Sequence, residues 1–259
     1  MKQPLSHYSD IAITGASSGL GRALAIAYAD PGVTLHLAGR DAARLRQVAA
    51  TCRNLGATVL ETLADVTDRE AMENWIDRAG KLDLVIANAG ISGGPGNANA
   101  EAPERIRAIL ATNIDGALNT LLPAIAAMSK QKLGPNGNRG RIACIGSIAG
   151  LIALPTTPTY SAAKAALDFW VSATAPNLAK DGIALTMVRP GFIRTPMTAR
   201  NPYKMPGIID ADQAAAKIQS ALAAGKTQIT FPYWFGIAAR IGNLMPKSIF
   251  DKTQKKPAL

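Results

Sequence analysis

Tyr160 and Lys164 stand four residues apart in YSAAK, directly after the Pro/Thr-rich stretch LPTTPT at residues 154–159. On a helix, positions i and i+4 share a face one turn apart, so the ammonium can lie close enough to the phenol to bias its proton. A free phenol titrates at about 10, too high to cycle readily at neutral pH. A neighbouring cation favours the phenolate and brings that value toward the working range. Such a phenol can give a proton to the alkoxide left when a hydride reaches a carbonyl. Alone, the spacing is more often an ordinary surface pair, and the elements around it have to decide.

Short runs rich in Val, Ile and Leu recur between longer helical patterns. Strands are expected at residues 10–14, 33–38, 58–63, 82–87, 141–146, 184–189 and 228–231, with helices at GRALAIAYA, AARLRQVAATCRNL and AAKAALDFWVSATAPNLA among others. Near-continuous apolar strands suit a parallel sheet buried on both faces, and their alternation with helices means βαβ crossovers. The expected fold is α/β, one domain over residues 1–259 with a doubly wound sheet of about seven parallel strands. The Gly/Asn-rich patches at 92–100 and 133–140 are expected to be loops within it. Ser147 ends the fifth strand, and ligands of open α/β sheets bind at the C-terminal ends of strands. Its hydroxyl can hold a substrate oxygen and stabilise charge developing there.

TGASSGLG (residues 14–21) follows the first strand and opens a helix. Glycines at 15, 19 and 21 let backbone N–H groups and a helix N-terminus face a phosphate without Cβ obstruction. That context points to a dinucleotide. The second strand ends in HLAGR, where an acidic residue would accept from the 2′-hydroxyl of NAD. Gly39 leaves that place open and Arg40 follows, a guanidinium suited to a phosphate monoester, with Ser17 as a further donor. NADP(H) is therefore expected over NAD(H).

The glycine spacing T-G-x-x-x-G-x-G resembles that of the short-chain dehydrogenase/reductase family (SDR), and the resemblance spans roughly residues 9 to 232. Its landmarks follow in order: TGASSGLG, ADV at 64–66, ANAG at 87–90, ATNIDG around Asn113, IGS ending at Ser147, YSAAK, and RPGFIRTPM at 189–197. The resemblance implies a Rossmann-type fold and a catalytic set of Ser147, Tyr160, Lys164 and Asn113. Asn113 would kink its helix and support a proton relay, and Lys164 would also hold the nicotinamide ribose. For the cofactor it implies Gly15, Ser17, Ser18, Gly19, Leu20, Gly21 and Arg40 at the phosphates. Asp65 with Val66 would lie at the adenine, though a turn or cap role for Asp65 is equally open. Asn88, Ala89 and Gly90 would line the cleft, and Pro190, Gly191, Ile193 and Thr195 would flank the nicotinamide. The resemblance also implies a homodimer or homotetramer, built partly on the helix that carries Lys164.

Two regions carry no such signature. Residues 192–210 are expected to form a substrate lid, with Met197, Tyr203 and Met205 as candidate contacts. Residues 232–259 read as an amphipathic basic extension. Trp234, Ile237, Ile241 and Leu244 recur at helical spacing, with Arg240, Lys247, Lys252, Lys255 and Lys256 among and after them. Such a segment suits peripheral membrane contact, an oligomer contact or a cap over the cleft.

Composition bounds the remaining choices. With 48% apolar and 18% charged residues the chain is globular rather than disordered. Its net charge of +10 suits an anionic ligand or an anionic membrane surface. The cations are spread without aromatic interleaving, so no nucleic-acid partner is expected. His7, His36, Cys52 and Cys144 have no metal-ligand spacing, so no metal is expected. With two cysteines, no visible secretory signal and no long apolar run, the protein is expected in the cytoplasm, with peripheral contact at the inner face of a membrane as the alternative. The function expected is an NADP(H)-dependent oxidoreductase interconverting a carbonyl and an alcohol. The alternatives are an NAD-preferring alcohol dehydrogenase, and a cofactor-binding membrane-docking or sensor protein without turnover. A sugar-nucleotide epimerase or dehydratase would need a larger C-terminal domain than the chain after Pro190 supplies.

Overall fold

A computed structural model describes residues 8–93, 100–134, 137–201 and 204–237. The apolar runs become strands β1 (Asp10–Thr14), β2 (Thr34–Gly39), β3 (Thr58–Leu63), β4 (Leu84–Ala87), β5 (Gly140–Ile145) and β6 (Ile183–Pro190). Two short strands follow, β7 (Ile193–Arg194) and β8 (Ile209–Asp210), and then β9 (Gln228–Phe231). The main sheet has seven parallel strands in the order β3-β2-β1-β4-β5-β6-β9. Every residue of β4 is buried, as a strand covered on both faces requires.

Side-chain alternation divides the core into two layers. Ile11, Ile13, Leu84 and Ile86 join one apolar cluster with α1 (Gly19–Tyr28) and α2 (Ala42–Asn54). Ala12, Val85, Ile142 and Cys144 join the other, with α3 (Arg69–Ala79). The second cluster continues into a helical stretch from Pro103 to Lys130, made of α4 (Pro103–Leu110), a π-helical turn at Ala111–Asp115 and α5 (Gly116–Lys130). By length and mean hydropathy this stretch could cross a membrane, but 44% of its most apolar window is buried inside the fold. It packs on α3, β4, β5 and the long helix α6 (Pro158–Lys180) as a layer of the domain. On the opposite face α7 (Ala211–Ala223) packs against α1.

The chain builds β1, β2 and β3 outward in one direction and then crosses to β4 on the other side of β1. This reversal opens a crevice beyond the C-terminal ends of β1 and β4, the place where such sheets bind ligands. Pro158 opens α6 at its first position, where a missing N–H costs nothing, and sets Tyr160 in the first turn. Farther along the helix, Asp168 makes a bidentate buried ion pair with Arg189 of β6, at 2.5 Å and 2.6 Å. That pair fixes α6 against the strand that ends at Pro190.

The small pair β7–β8 was not expected, because two-residue strands leave no periodicity to read. Ile193 pairs with Ile209 and Arg194 with Asp210, with a 2.8 Å ion pair between the last two side chains. Both ends of the 192–210 segment are thus tied together. Phe192 meets Phe235 edge-on at 6.5 Å between ring centroids, and Trp234 meets Phe235 at 5.4 Å. Tyr203 and the chain after residue 237, with Arg240 and the C-terminal lysines, lie outside the described residues.

Candidate active site

A cleft of about 580 Å³ opens along the C-terminal ends of the central strands. One end is the glycine turn. Gly15 and Gly19 have φ of +65° and +53°, where any other residue would be strained. Ser17, Ser18, Gly19 and Leu20 face the cleft with Gly15. Ser18 is the N-cap of α1 and makes no side-chain capping bond, so the first N–H groups of α1 stay open toward the cleft. Gly21 has a different task. A Cβ there would sit 2.2 Å from the Gly15 carbonyl oxygen, so this glycine lets α1 fold back on the turn. Asn88 holds the adjoining strand end, donating from Nδ2 to the Thr14 carbonyl at 2.9 Å.

The second strand end shapes the next part of the wall. A Cβ at Gly39 would stand 3.2 Å from Ser17 Cβ, so an acidic side chain would crowd the turn. Arg40 lines the cleft and pairs with Asp65 at 3.2 Å, both side chains well exposed. Arg44 also lines the cleft and pairs with Asp41 at 2.7 Å. This second arginine escaped sequence reasoning, although its place four residues after Arg40 was a legible signal. Asp65 meets the cleft through Arg40, and its neighbours Ala64 and Val66 line it. Its Oδ1 accepts from both the N–H and the hydroxyl of Thr67 at 2.9 Å. Burial pushes the Asp65 carboxyl up, but the bonds from Thr67 and Arg40 outweigh it and the net shift is down.

Ser147, Tyr160 and Lys164 share the far end of the same cleft. Ser147 Oγ accepts from Ala149 N–H at 3.1 Å, which leaves its own proton for another oxygen. Lys164 Nζ is 5.8 Å from the centre of the Tyr160 ring and donates to the Ile145 carbonyl at 2.8 Å. Burial drives the Lys164 pKa down, with Cys144 opposing weakly. Gly150 permits this packing, since a Cβ there would lie 2.7 Å from the Lys164 carbonyl carbon. Asn113 sits behind the cleft in the π-helical turn, and its side-chain amide exchanges two 2.8 Å bonds with the Ile91 backbone. Gly90 stands between them: a Cβ there would be 3.0 Å from Asn113 Oδ1 and 3.7 Å from Lys164 Nζ.

Pro190, Gly191, Ile193 and Thr195 form the opposite wall, while Ala89 and Gly90 line the base. Thr195 reaches across to the glycine turn, its methyl 3.2 Å from where a Gly19 Cβ would lie. Of the catalytic and cofactor residues expected from the sequence, Gly21, Asp65 and Asn113 do not line the cleft; of the described lid candidates, Met197 lines it and Met205 does not. A dinucleotide fits this arrangement, because the glycine positions leave space that side chains would fill and the adjoining wall carries cations. Among the described residues, no cluster of His, Cys, Asp and Glu is placed to hold a metal.

Residues 10–205 match the family model described as short chain dehydrogenase. An "Uncharacterized oxidoreductase" of Myxococcus xanthus (strain DK1622) is 33% identical over 253 residues, covering 96% of this chain and 97% of that protein. An "11-beta-hydroxysteroid dehydrogenase A" of Arachis hypogaea is 31% identical, over 91% of this chain and 71% of the other. The crystal structure of a short chain dehydrogenase/reductase from Burkholderia phymatum in complex with NAD aligns with a TM-score of 0.79 at 23% identity, covering 96% of each chain.

Proposed function

Since the chain belongs to the short chain dehydrogenase family of oxidoreductases, we propose that it is an NADP(H)-dependent enzyme interconverting a ketone or aldehyde with an alcohol. One observation carries the reading: a single cleft joins the glycine turn and Arg40 to Ser147, Tyr160 and Lys164. The nicotinamide, when bound, supplies or accepts the hydride. Ser147 donates a hydrogen bond to the substrate oxygen, keeping its proton, and stabilises charge there. The Tyr160 hydroxyl passes a proton to that oxygen in reduction and takes one in oxidation. Lys164, one turn along, favours the phenolate through its ammonium and orients the ribose. Asn113 contributes from its backbone, since Ile91 occupies its side-chain amide.

Arg40 reads the 2′-phosphate in this proposal, with Ser17 beside it. Its exposed pair with Asp65 is held weakly in water and releases at little cost. Titration of the purified protein with NADPH and NADH at fixed salt tests the assignment. NADPH should bind about ten- to a hundredfold more tightly, the value of a charge-assisted hydrogen bond. Arg40→Ala should remove that advantage and leave NADH affinity unchanged. The same Arg40–Asp65 pair supports a second reading, an NAD-preferring enzyme in which Arg40 stays bound to Asp65. Equal or tighter NADH binding would select it.

We also propose a cytoplasmic homo-oligomer. Ala162, Ala166, Phe169 and Ala173 form an exposed stripe along α6, with Phe169 80% exposed. Tyr233, Trp234 and Ile237 are exposed at the start of the C-terminal segment and favour peripheral contact with a membrane.

A further inference from the structure

Glu101 lies 58 residues before Thr159 in sequence, yet its carboxylate closes the N-terminus of α6. Thr157 is the N-cap of that helix and makes no side-chain capping bond, and Pro158 has no N–H to offer. The N–H of Thr159 therefore needs an acceptor from elsewhere. Glu101 Oε2 accepts it at 3.1 Å and also accepts the Thr159 hydroxyl. Glu101 is only 8% exposed, and its Oε1 is buried with no hydrogen-bond partner among the described residues.

A buried carboxylate with an idle oxygen is a costly way to cap a helix. An asparagine, aspartate or serine at position 157 would do it locally. What the distant carboxylate adds is a fixed relation between two helices. Glu101 stands two residues before Pro103, where α4 begins, and α4 runs into the π-helical turn that holds Asn113. Thr159 directly precedes Tyr160. One side chain thus sets the first turn of α6 against the start of α4, just where the phenol must enter the cleft. We infer that Glu101 is a positioning residue for Tyr160, holding the phenol in register with Ser147 and the cofactor cleft. This rests on the reading of Tyr160 as the acid–base group.

The test compares Glu101→Ala, Glu101→Gln and Glu101→Asp in the full chain, by steady-state kinetics, NADPH titration and amide hydrogen exchange. In Glu101→Ala, kcat should fall about ten- to a hundredfold, the scale of a small misplacement of a reacting group, with NADPH affinity within about twofold of wild type. Amides at 159–161 should exchange faster in the same variant. Glu101→Gln keeps a carbonyl oxygen for both bonds and should restore most of kcat and the slow exchange. Should the alanine variant not fold, Glu101→Asp keeps the charge one methylene short and should show the loss in smaller degree. A lower melting temperature with kcat intact would overturn the inference, as would a kcat loss in Glu101→Ala that glutamine does not rescue. Turnover retained in Tyr160→Phe while Glu101→Ala still loosens residues 159–161 would instead overturn the acid–base reading and leave the cap standing.

Discussion

Tyr160→Phe should lower kcat by about 10²–10⁴, the usual contribution of a positioned acid–base group, while NADPH affinity stays within about twofold of wild type. The substitution removes one oxygen and keeps the ring that lies 5.8 Å from Lys164 Nζ. The measurement is single-turnover reduction of the best carbonyl compound found in an NADPH-oxidation screen, with cofactor binding followed by fluorescence. The two readouts separate chemistry from binding. Loss of both would mean that the phenol serves the cofactor site, and retention of both would mean that the proton comes from elsewhere. A protein that binds cofactor only as a sensor would show no turnover in wild type either.

The second large effect concerns stability. Asp168→Ala should destabilise the fold by about 3–5 kcal/mol, because it strands the Arg189 guanidinium in the core. Arg189 is 3% exposed, with its Nε and one terminal nitrogen on Asp168 and the other terminal nitrogen 3.3 Å from Gln228 Oε1. For a chain of this size the melting temperature should drop by about 6–20 °C. Replacing both partners by apolar residues, Asp168→Leu with Arg189→Met, should recover much of the loss, since neither charge then remains buried alone. Thermal and urea denaturation of the two variants measure this directly. A double variant as unstable as the single one would mean that the pair's geometry holds α6 in place, beyond any balance of charges.

The central strands of the main sheet were legible because burial on both faces leaves a short apolar run, whereas the edge strand β3 buries only Val59 and is read from its β-branched and apolar residues. Their ends shifted by a residue or two, as at Thr34–Gly39, where the ladder and not the composition sets the limit. The glycine turn and the Tyr160–Lys164 spacing were legible because local geometry confines them to few residue types. What escaped was contact over distance. Asp168 reads as a polar residue in an apolar helix until Arg189 is seen beside it. Glu101 follows the loop expected at 92–100 and carries no local signal until Thr159 turns out to need an acceptor. Asp65 reads as an adenine contact or a turn residue, and its bonds to Thr67 make the turn while Arg40 takes its other oxygen. Arg44 had a local signal that went unused, a second arginine in the first turn of the helix that follows Arg40.

The burial of Lys164 sets the fold against the proposed chemistry over one proton. In the unfolded chain this amine keeps its proton up to the ordinary lysine value of 10.5, while in the fold, burial lowers that value. Between the two values the unfolded chain binds a proton that the folded chain has released, so stability rises with pH across that window and is lost as pH falls through the lower value. Below the lowered value the buried ammonium, which the proposed mechanism uses to assist Tyr160, works against the structure that holds it, and the rest of the core must compensate. An apolar residue at position 164 would relieve that opposition and, in the proposed mechanism, end catalysis with it.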